Sequence, residues 1–200
     1  MIKTINPPNV GWLEKKLSDQ EMDYLWKCID NKKGDHRSKL AGNISESYLL
    51  MDRGDWFWLN TLKPLCAKYK KEFYNLGDDL GIPCNHPYYL HSWWVNYQNQ
   101  TDFNPVHTHG GIYSFVIWLK IPIEHEEQNK DNISNMKLRS SFQFNYTDIL
   151  GNISQYSYDL NKSWEGIMLF FPSQLQHQVF PFYNCDEDRI TVSGNIIFKV

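Results

Sequence analysis

Two spacings of apolar residues divide the chain. In the first third they recur three and four apart: Met22, Leu25, Trp26 and Ile29 follow Ser18 and Glu21, which have the spacing of a capping box, and Gly34 ends the run. This predicts a helix starting at Ser18. A second helix is predicted from about Pro64, since proline is tolerated in a first turn, with Leu65, Tyr69, Phe73 and Leu76 facing inward and Gly77 closing it. Between them Ser47-Tyr48-Leu49-Leu50-Met51 reads as a short strand. From about Pro87 the pattern changes to short aromatic and β-branched runs separated by Asn, Asp and Gly, predicting strands near 88–98, 112–122, 139–146, 154–160, 166–171, 176–182 and 189–199. The polar stretch His125 to Asn135 reads as a loop or lid. The fold class is therefore α+β and mainly β: a jelly roll or related double-stranded β-helix with N-terminal helices packed on one sheet. No repeat or linker divides it, so one domain over 1–200 is expected, helical in 1–80 and β in 87–200.

Composition narrows the function. A net charge of −3 and the lack of a long basic stripe argue against nucleic-acid binding, which needs clustered Lys and Arg. The basic residues Lys32, Lys33, His36, Arg37 and Lys39 read as a solvated loop. No apolar run approaches the ~20 residues of a membrane span and the first residues do not form a signal peptide, so a soluble, cytoplasmic protein with no membrane partner is expected. Cys28, Cys66, Cys84 and Cys185 form no C-x-x-C pair and read as reduced, mostly buried thiols.

The candidate chemistry begins at His107 and His109. In an extended segment residues i and i+2 share a face, roughly 6.5–7 Å apart, so two imidazoles there can close on one metal ion. The bland alternative is a pair of surface histidines. A third histidine, His177, stands far downstream, followed by Arg189, whose strand places Arg189, Thr191, Ser193 and Asn195 on one face. That face is either solvated or turned into the barrel. In the second case guanidinium and hydroxyl form a fork for a carboxylate beside the histidines. Trp93, Trp94, Trp118, Phe142, Phe144, Phe170 and Phe182 can supply a dry wall, or serve only as core.

These residues carry a resemblance. The order His-x-Asp/Glu, distant His, then Arg-x-Ser/Thr on a jelly roll is that of the Fe(II)- and 2-oxoglutarate-dependent oxygenases. More narrowly, Trp94-Val95-Asn96-Tyr97, Asn104 through Val116, Phe170 through Tyr183 and Arg189 through Asn195 resemble the small, prolyl-hydroxylase-like oxygenases of marine bacteriophages. The resemblance implies Fe(II) held by His107, His177 and, at the position usual for a carboxylate, His109. It implies 2-oxoglutarate held by Arg189 and Thr191, with Tyr97 nearby, and O2 as the oxidant. The implied reaction decarboxylates 2-oxoglutarate to succinate while hydroxylating an unidentified substrate, with a prolyl or other protein side chain as the candidate acceptor. If the protein is phage-encoded, it acts in the host cytoplasm.

His109 is the departure from the general pattern, since a third neutral imidazole leaves the metal more positive than a carboxylate does. Asp102, on the preceding loop, is a candidate substitute ligand. Two further readings stay open: a cupin-like metal enzyme using the three histidines without 2-oxoglutarate, and a non-enzymatic jelly-roll binding or virion protein.

Overall fold

The computed structural model describes residues 2–4, 10–73 and 87–199. Two antiparallel sheets face each other. The larger has seven strands in the order β1 (Leu13–Lys16), β9 (Ile167–Pro172), β6 (Tyr113–Lys120), β11 (Arg189–Phe198), β4 (Tyr88–Gln98), β3 (Glu46–Leu49) and β2 (Lys33–Asp35). The smaller has four, in the order β5 (Asn104–His107), β10 (Gln176–Val179), β7 (Ser141–Thr147) and β8 (Ile153–Asp159).

The large sheet is buried on both faces, and its alternation sorts residues between two cores. Trp93, Val95, Phe115, Ile117, Phe170, Val192 and Ile196 pack on the outer side against Leu25, Cys28 and Ile29 of α1 (Asp19–Asp30) and Leu65, Cys66 and Tyr69 of α2 (Lys63–Phe73). Val116, Trp118, Leu169 and Phe171 point the other way, meeting Phe142 and Phe144 of the small sheet. Each face thus has a hydrophobic partner, as a double-layered β fold with covering helices requires.

The capping box forms as expected. Ser18 Oγ accepts from the Glu21 backbone N–H, while the Glu21 carboxylate accepts from the Ser18 N–H. Glu21 does more than cap. It is buried, pairs with Lys15 at 2.7 Å and accepts from Thr61 Oγ1 at 2.6 Å, tying α1 to the segment leading into α2. These partners hold its carboxyl below the usual range, although burial alone pushes it up.

Several boundaries differ from the sequence expectation. The strand expected at Ser47–Met51 forms as β3, one residue earlier at its start, but the N-terminal part also contributes β1 and β2 besides its helices; β1 reads Leu-Glu-Lys-Lys, and with two half-buried and two exposed residues it carries no apolar run. β5 was not expected because it is four residues long and holds Pro105, which only an edge strand tolerates. The strand expected over 176–182 stops at Val179. Trp26 lies on the exposed side of α1. Within the stretch read as a loop, α3 (His125–Asn129) buries His125 and Asn129, and the Asn129 amide donates to the Arg139 carbonyl. Cys28 and Cys66 are buried free thiols and Cys185 is half-buried; Leu76, Gly77 and Cys84 lie outside the described residues. Among the described residues no helix is long and apolar enough to cross a membrane.

Gly194 sits mid-strand in β11, opposite Phe115 and Trp93. A Cβ there would meet the Phe115 ring and the Trp93 Cβ at 2.7 Å, too close to absorb without backbone movement. Gly194→Ala is expected to cost about 1–3 kcal/mol, read as a lower chemical-denaturation midpoint at unchanged slope.

Candidate metal and 2-oxo acid site

The three histidines come from two adjoining strands and the turn beside them. His107 ends β5 and is the direct cross-strand partner of His177 on β10, so strand pairing sets their rings 4.3 Å apart between centroids. The pairing slips between His177 and Val179, a bulge next to Pro105 of the kind that re-aims a side chain at a site. His109 lies just beyond β5, fixed by its N–H donating to the Ser173 carbonyl and by Gln174 Nε2 donating to the His109 carbonyl. One ligand atom from each imidazole falls in a single cluster, all within 4.8 Å of one another.

Their hydrogen bonds orient that cluster. His107 Nδ1 lies 2.7 Å from the Pro105 carbonyl and His177 Nδ1 2.9 Å from the Leu175 carbonyl, so each Nδ1 is the donor and each Nε2 keeps its lone pair. His109 Nε2 and His177 Nε2 stand 3.1 Å apart. Burial pushes all three imidazoles toward the neutral form, His109 down to about 4 and His177 well below the ordinary imidazole value, with mutual repulsion adding to the effect on His109 and His177. Neutral imidazoles with converging lone pairs form a donor set suited to Fe, Zn, Cu or Ni. Phe142, Phe144 and Phe171 pack around the His177 ring, which is 3% exposed.

The histidines line a cavity of about 490 Å³ between the sheets. Its floor includes the inward-facing positions of β4 and β11: Trp94, Asn96 and Gln98, and Thr191, Ser193 and Asn195. The polar face of β11 thus turns into the barrel. Arg189 continues that face but lies behind the cavity wall and is fully buried. Its Nε donates to Gln98 Oε1 at 3.0 Å and one terminal nitrogen, Nη2, to the Phe180 carbonyl at 3.2 Å, with the guanidinium over the Phe182 ring. The other, Nη1, has no hydrogen-bond partner. Among the described residues no carboxylate lies within ion-pair distance of Arg189, and burial pulls its pKa down to about 10. A buried cation with an orphaned N–H, beside Thr191, fits an anionic ligand that completes it.

Other expected residues fall elsewhere. Tyr97 is not brought to the cavity: alternation along β4 turns it to the outer face, where its ring meets Tyr48 and lies near the Lys32 ammonium. Asp102 does not join the histidines; its carboxylate accepts from the backbone N–H groups of Ser45 and Asn99 and fastens two loops. Of the aromatic wall, Trp94, Trp118 and Phe142 line the cavity, joined by Phe171. Trp93 and Phe170 face the helices, while Phe144 and Phe182 fill the core between the sheets.

Two groups of lining residues were not singled out in the sequence. Asn96 and Gln98 were legible as polar residues two apart in an aromatic strand. His36 and Lys39 were not, because the loop read as merely solvated reaches the cavity only through tertiary packing. Gly42 allows that approach, since a Cβ there would collide with the Phe103 carbonyl and the Asn104 side chain. The His36 ring packs on Trp94, whose other neighbour is His109.

The family model for "Putative 2OG-Fe(II) oxygenase" matches residues 92–195, the segment that contains all three histidines, Arg189 and Thr191. No curated protein matches the chain. Among solved structures, a prolyl-4-hydroxylase from Pseudomonas putida is similar over 96% of this chain and 94% of its own, with TM-score 0.56 and 14% identity. The viral collagen prolyl hydroxylase of Paramecium Bursaria Chlorella virus-1, solved with 2OG, is similar over 94% and 96%, with TM-score 0.54 and 14% identity. SnoN, a non-heme alpha ketoglutarate dependent epimerase from nogalamycin biosynthesis, is similar over 94% and 76%, with TM-score 0.54 and 13% identity. At these identities the structural likenesses establish the double-stranded β-helix fold, and with more than half of the sequence matched by the family model, the chain belongs to the 2OG-Fe(II) oxygenases.

Proposed function

We propose that the protein is an Fe(II)- and 2-oxoglutarate-dependent dioxygenase in which His107, His109 and His177 hold the metal and Arg189 and Thr191 hold the 5-carboxylate of the cosubstrate. The observation that carries this reading is one cavity joining three convergent neutral imidazoles to the wall behind which Arg189 lies buried without a carboxylate partner. When bound, the iron and cosubstrate supply oxidative decarboxylation to succinate and CO2 and transfer of an oxygen atom from O2 to a C–H bond.

The chain's own residues bind, orient and exclude water. The carbonyls of Pro105 and Leu175 fix the tautomers of His107 and His177, presenting Nε2 to the metal. Phe142, Phe171 and Trp118 keep the inner wall apolar. No Asp or Glu is among the described residues lining the cavity, so a divalent metal on three neutral ligands and the nearby Arg189 together need negative charge. A dianionic 2-oxo acid supplies it at both ends. A metal enzyme that used the three histidines without an acidic cosubstrate would leave Arg189 uncompensated.

The acceptor is proposed to be a side chain of a peptide or protein, prolyl-type in line with the names of two structural neighbours, entering past His36, Lys39 and His91. The test is succinate formation from 2-oxoglutarate by Fe(II)-loaded protein under air. Turnover is expected in the wild type. In Thr191→Val, which loses one hydrogen bond to a charged group, the KM for 2-oxoglutarate is expected to rise about 10- to 100-fold. Absence of succinate from wild-type protein that has demonstrably taken up iron would overturn the reading.

A further inference from the structure

Arg189 does not itself line the cavity; Gln98 does. The two are direct cross-strand partners on β11 and β4, both buried. Gln98 Oε1 accepts from Arg189 Nε, which fixes the orientation of the amide, and its Nε2 makes no hydrogen bond among the described residues yet is not sealed in. Thr191, two residues along β11 from Arg189, lines the same part of the wall. An acceptor approaching from the cavity therefore reaches Gln98 Nε2 and the Thr191 hydroxyl, with the guanidinium charge behind them polarising the amide.

We infer that Gln98 is a specificity-determining residue for the cosubstrate: it relays the buried charge of Arg189 to the cavity and donates from Nε2 to the distal carboxylate of the 2-oxo acid. This rests on the proposed 2-oxoglutarate site and extends it to a residue assigned no role there. Because amide and carboxylate are nearly isosteric, Gln98→Glu sets a negative charge against Arg189 without opening a void. The variant then satisfies Arg189 internally and repels the ligand's own carboxylate.

The experiment uses Mn(II)-loaded protein and two probes, 2-oxoglutarate and 2-oxovalerate, which keeps the 2-oxo acid head and lacks the distal carboxylate. By calorimetry, Gln98→Glu is expected to weaken 2-oxoglutarate about 100-fold or more, to leave 2-oxovalerate within about 3-fold, and to leave the metal-free Tm no lower than in the wild type. Gln98→Met, which removes both the relay and the donor, is expected to show the same selective loss, keeping the question open to a result if the charged variant folds poorly. Equal loss of both probes would mean a merely structural role and overturn the inference. Retention of 2-oxoglutarate affinity in Gln98→Glu, with loss in Arg189→Met, would overturn the role of Gln98 alone. Retention in both variants would remove the Arg189 assignment beneath it.

Discussion

Replacing His177 with alanine is expected to abolish metal binding and turnover together. Its imidazole is the most enclosed of the three, packed by Phe142, Phe144 and Phe171, and its Nε2 is set by the Leu175 carbonyl and lies 3.1 Å from His109 Nε2. Losing a group that merely orients a ligand costs roughly 10- to 100-fold in metal affinity, so losing the ligand itself costs on the order of 100-fold or more. The fold is expected to survive. His177 is neutral when metal-free, and the alanine leaves a void lined by aromatic rings, for a stability loss of about 2–4 kcal/mol. Metal content by emission spectroscopy beside Tm separates the two effects: a stable variant that keeps stoichiometric iron removes His177 from the ligand set.

The second large effect is expected at Arg189. Arg189→Met keeps length and apolar packing against Phe182 but deletes the charge. Truncating one member of a buried charge pair costs about 2–5 kcal/mol, so 2-oxoglutarate affinity is expected to fall by about 30-fold to several thousand-fold while metal affinity in the absence of cosubstrate is retained. Stability moves little, because removing a buried, uncompensated cation offsets the donors lost to Gln98 and to the Phe180 carbonyl. Equal cosubstrate affinity in variant and wild type, measured by calorimetry on Mn(II)-loaded protein, would contradict the assignment.

The two largest effects fall on residues that were visible in the sequence, and the reason is physical. His107, His177 and Arg189 combine rare residue types in an ordered spacing, and the alternation through Asn195 by itself puts Arg189 and Thr191 on one face. Local alternation does not decide whether that face meets water; the structure does, by bringing Thr191, Ser193 and Asn195 to the cavity that the histidines line. Tyr97 shows the limit of carrying over a residue by its distance from a motif. One step along β4 changes the face, so Tyr97 packs outward while Asn96 and Gln98 reach the cavity. The capping box at Ser18 and Glu21 was readable because it is local, whereas β1 and β5 were not: their four residues carry little pattern of their own and are held by partners far along the chain. His36 and Lys39 belong to the same class, reaching the cavity because Gly42 lets their loop press against Phe103 and Asn104.

His109 is the position at which this protein departs from the usual carboxylate, and its surroundings make that departure consistent. Its imidazole is pushed to about 4 by burial and by His107, so it is a neutral donor at pH 7. In the proposed reading, three neutral imidazoles with no acid among the described residues of the cavity would take their negative charge from the cosubstrate. Metal and 2-oxo acid are therefore expected to strengthen each other's binding, and by linkage the factor is the same in both directions.

Joint binding of iron and 2-oxoglutarate is tested most directly by an anaerobic titration of 2-oxoglutarate into Fe(II)-loaded wild-type protein, followed by the visible charge-transfer absorption of a 2-oxo acid chelated to ferrous iron. A saturable band is expected at one equivalent of iron and one of 2-oxoglutarate, absent in His177→Ala and shifted to far higher ligand concentration in Arg189→Met. Iron-loaded wild-type protein that shows no such band at saturating 2-oxoglutarate would contradict joint binding.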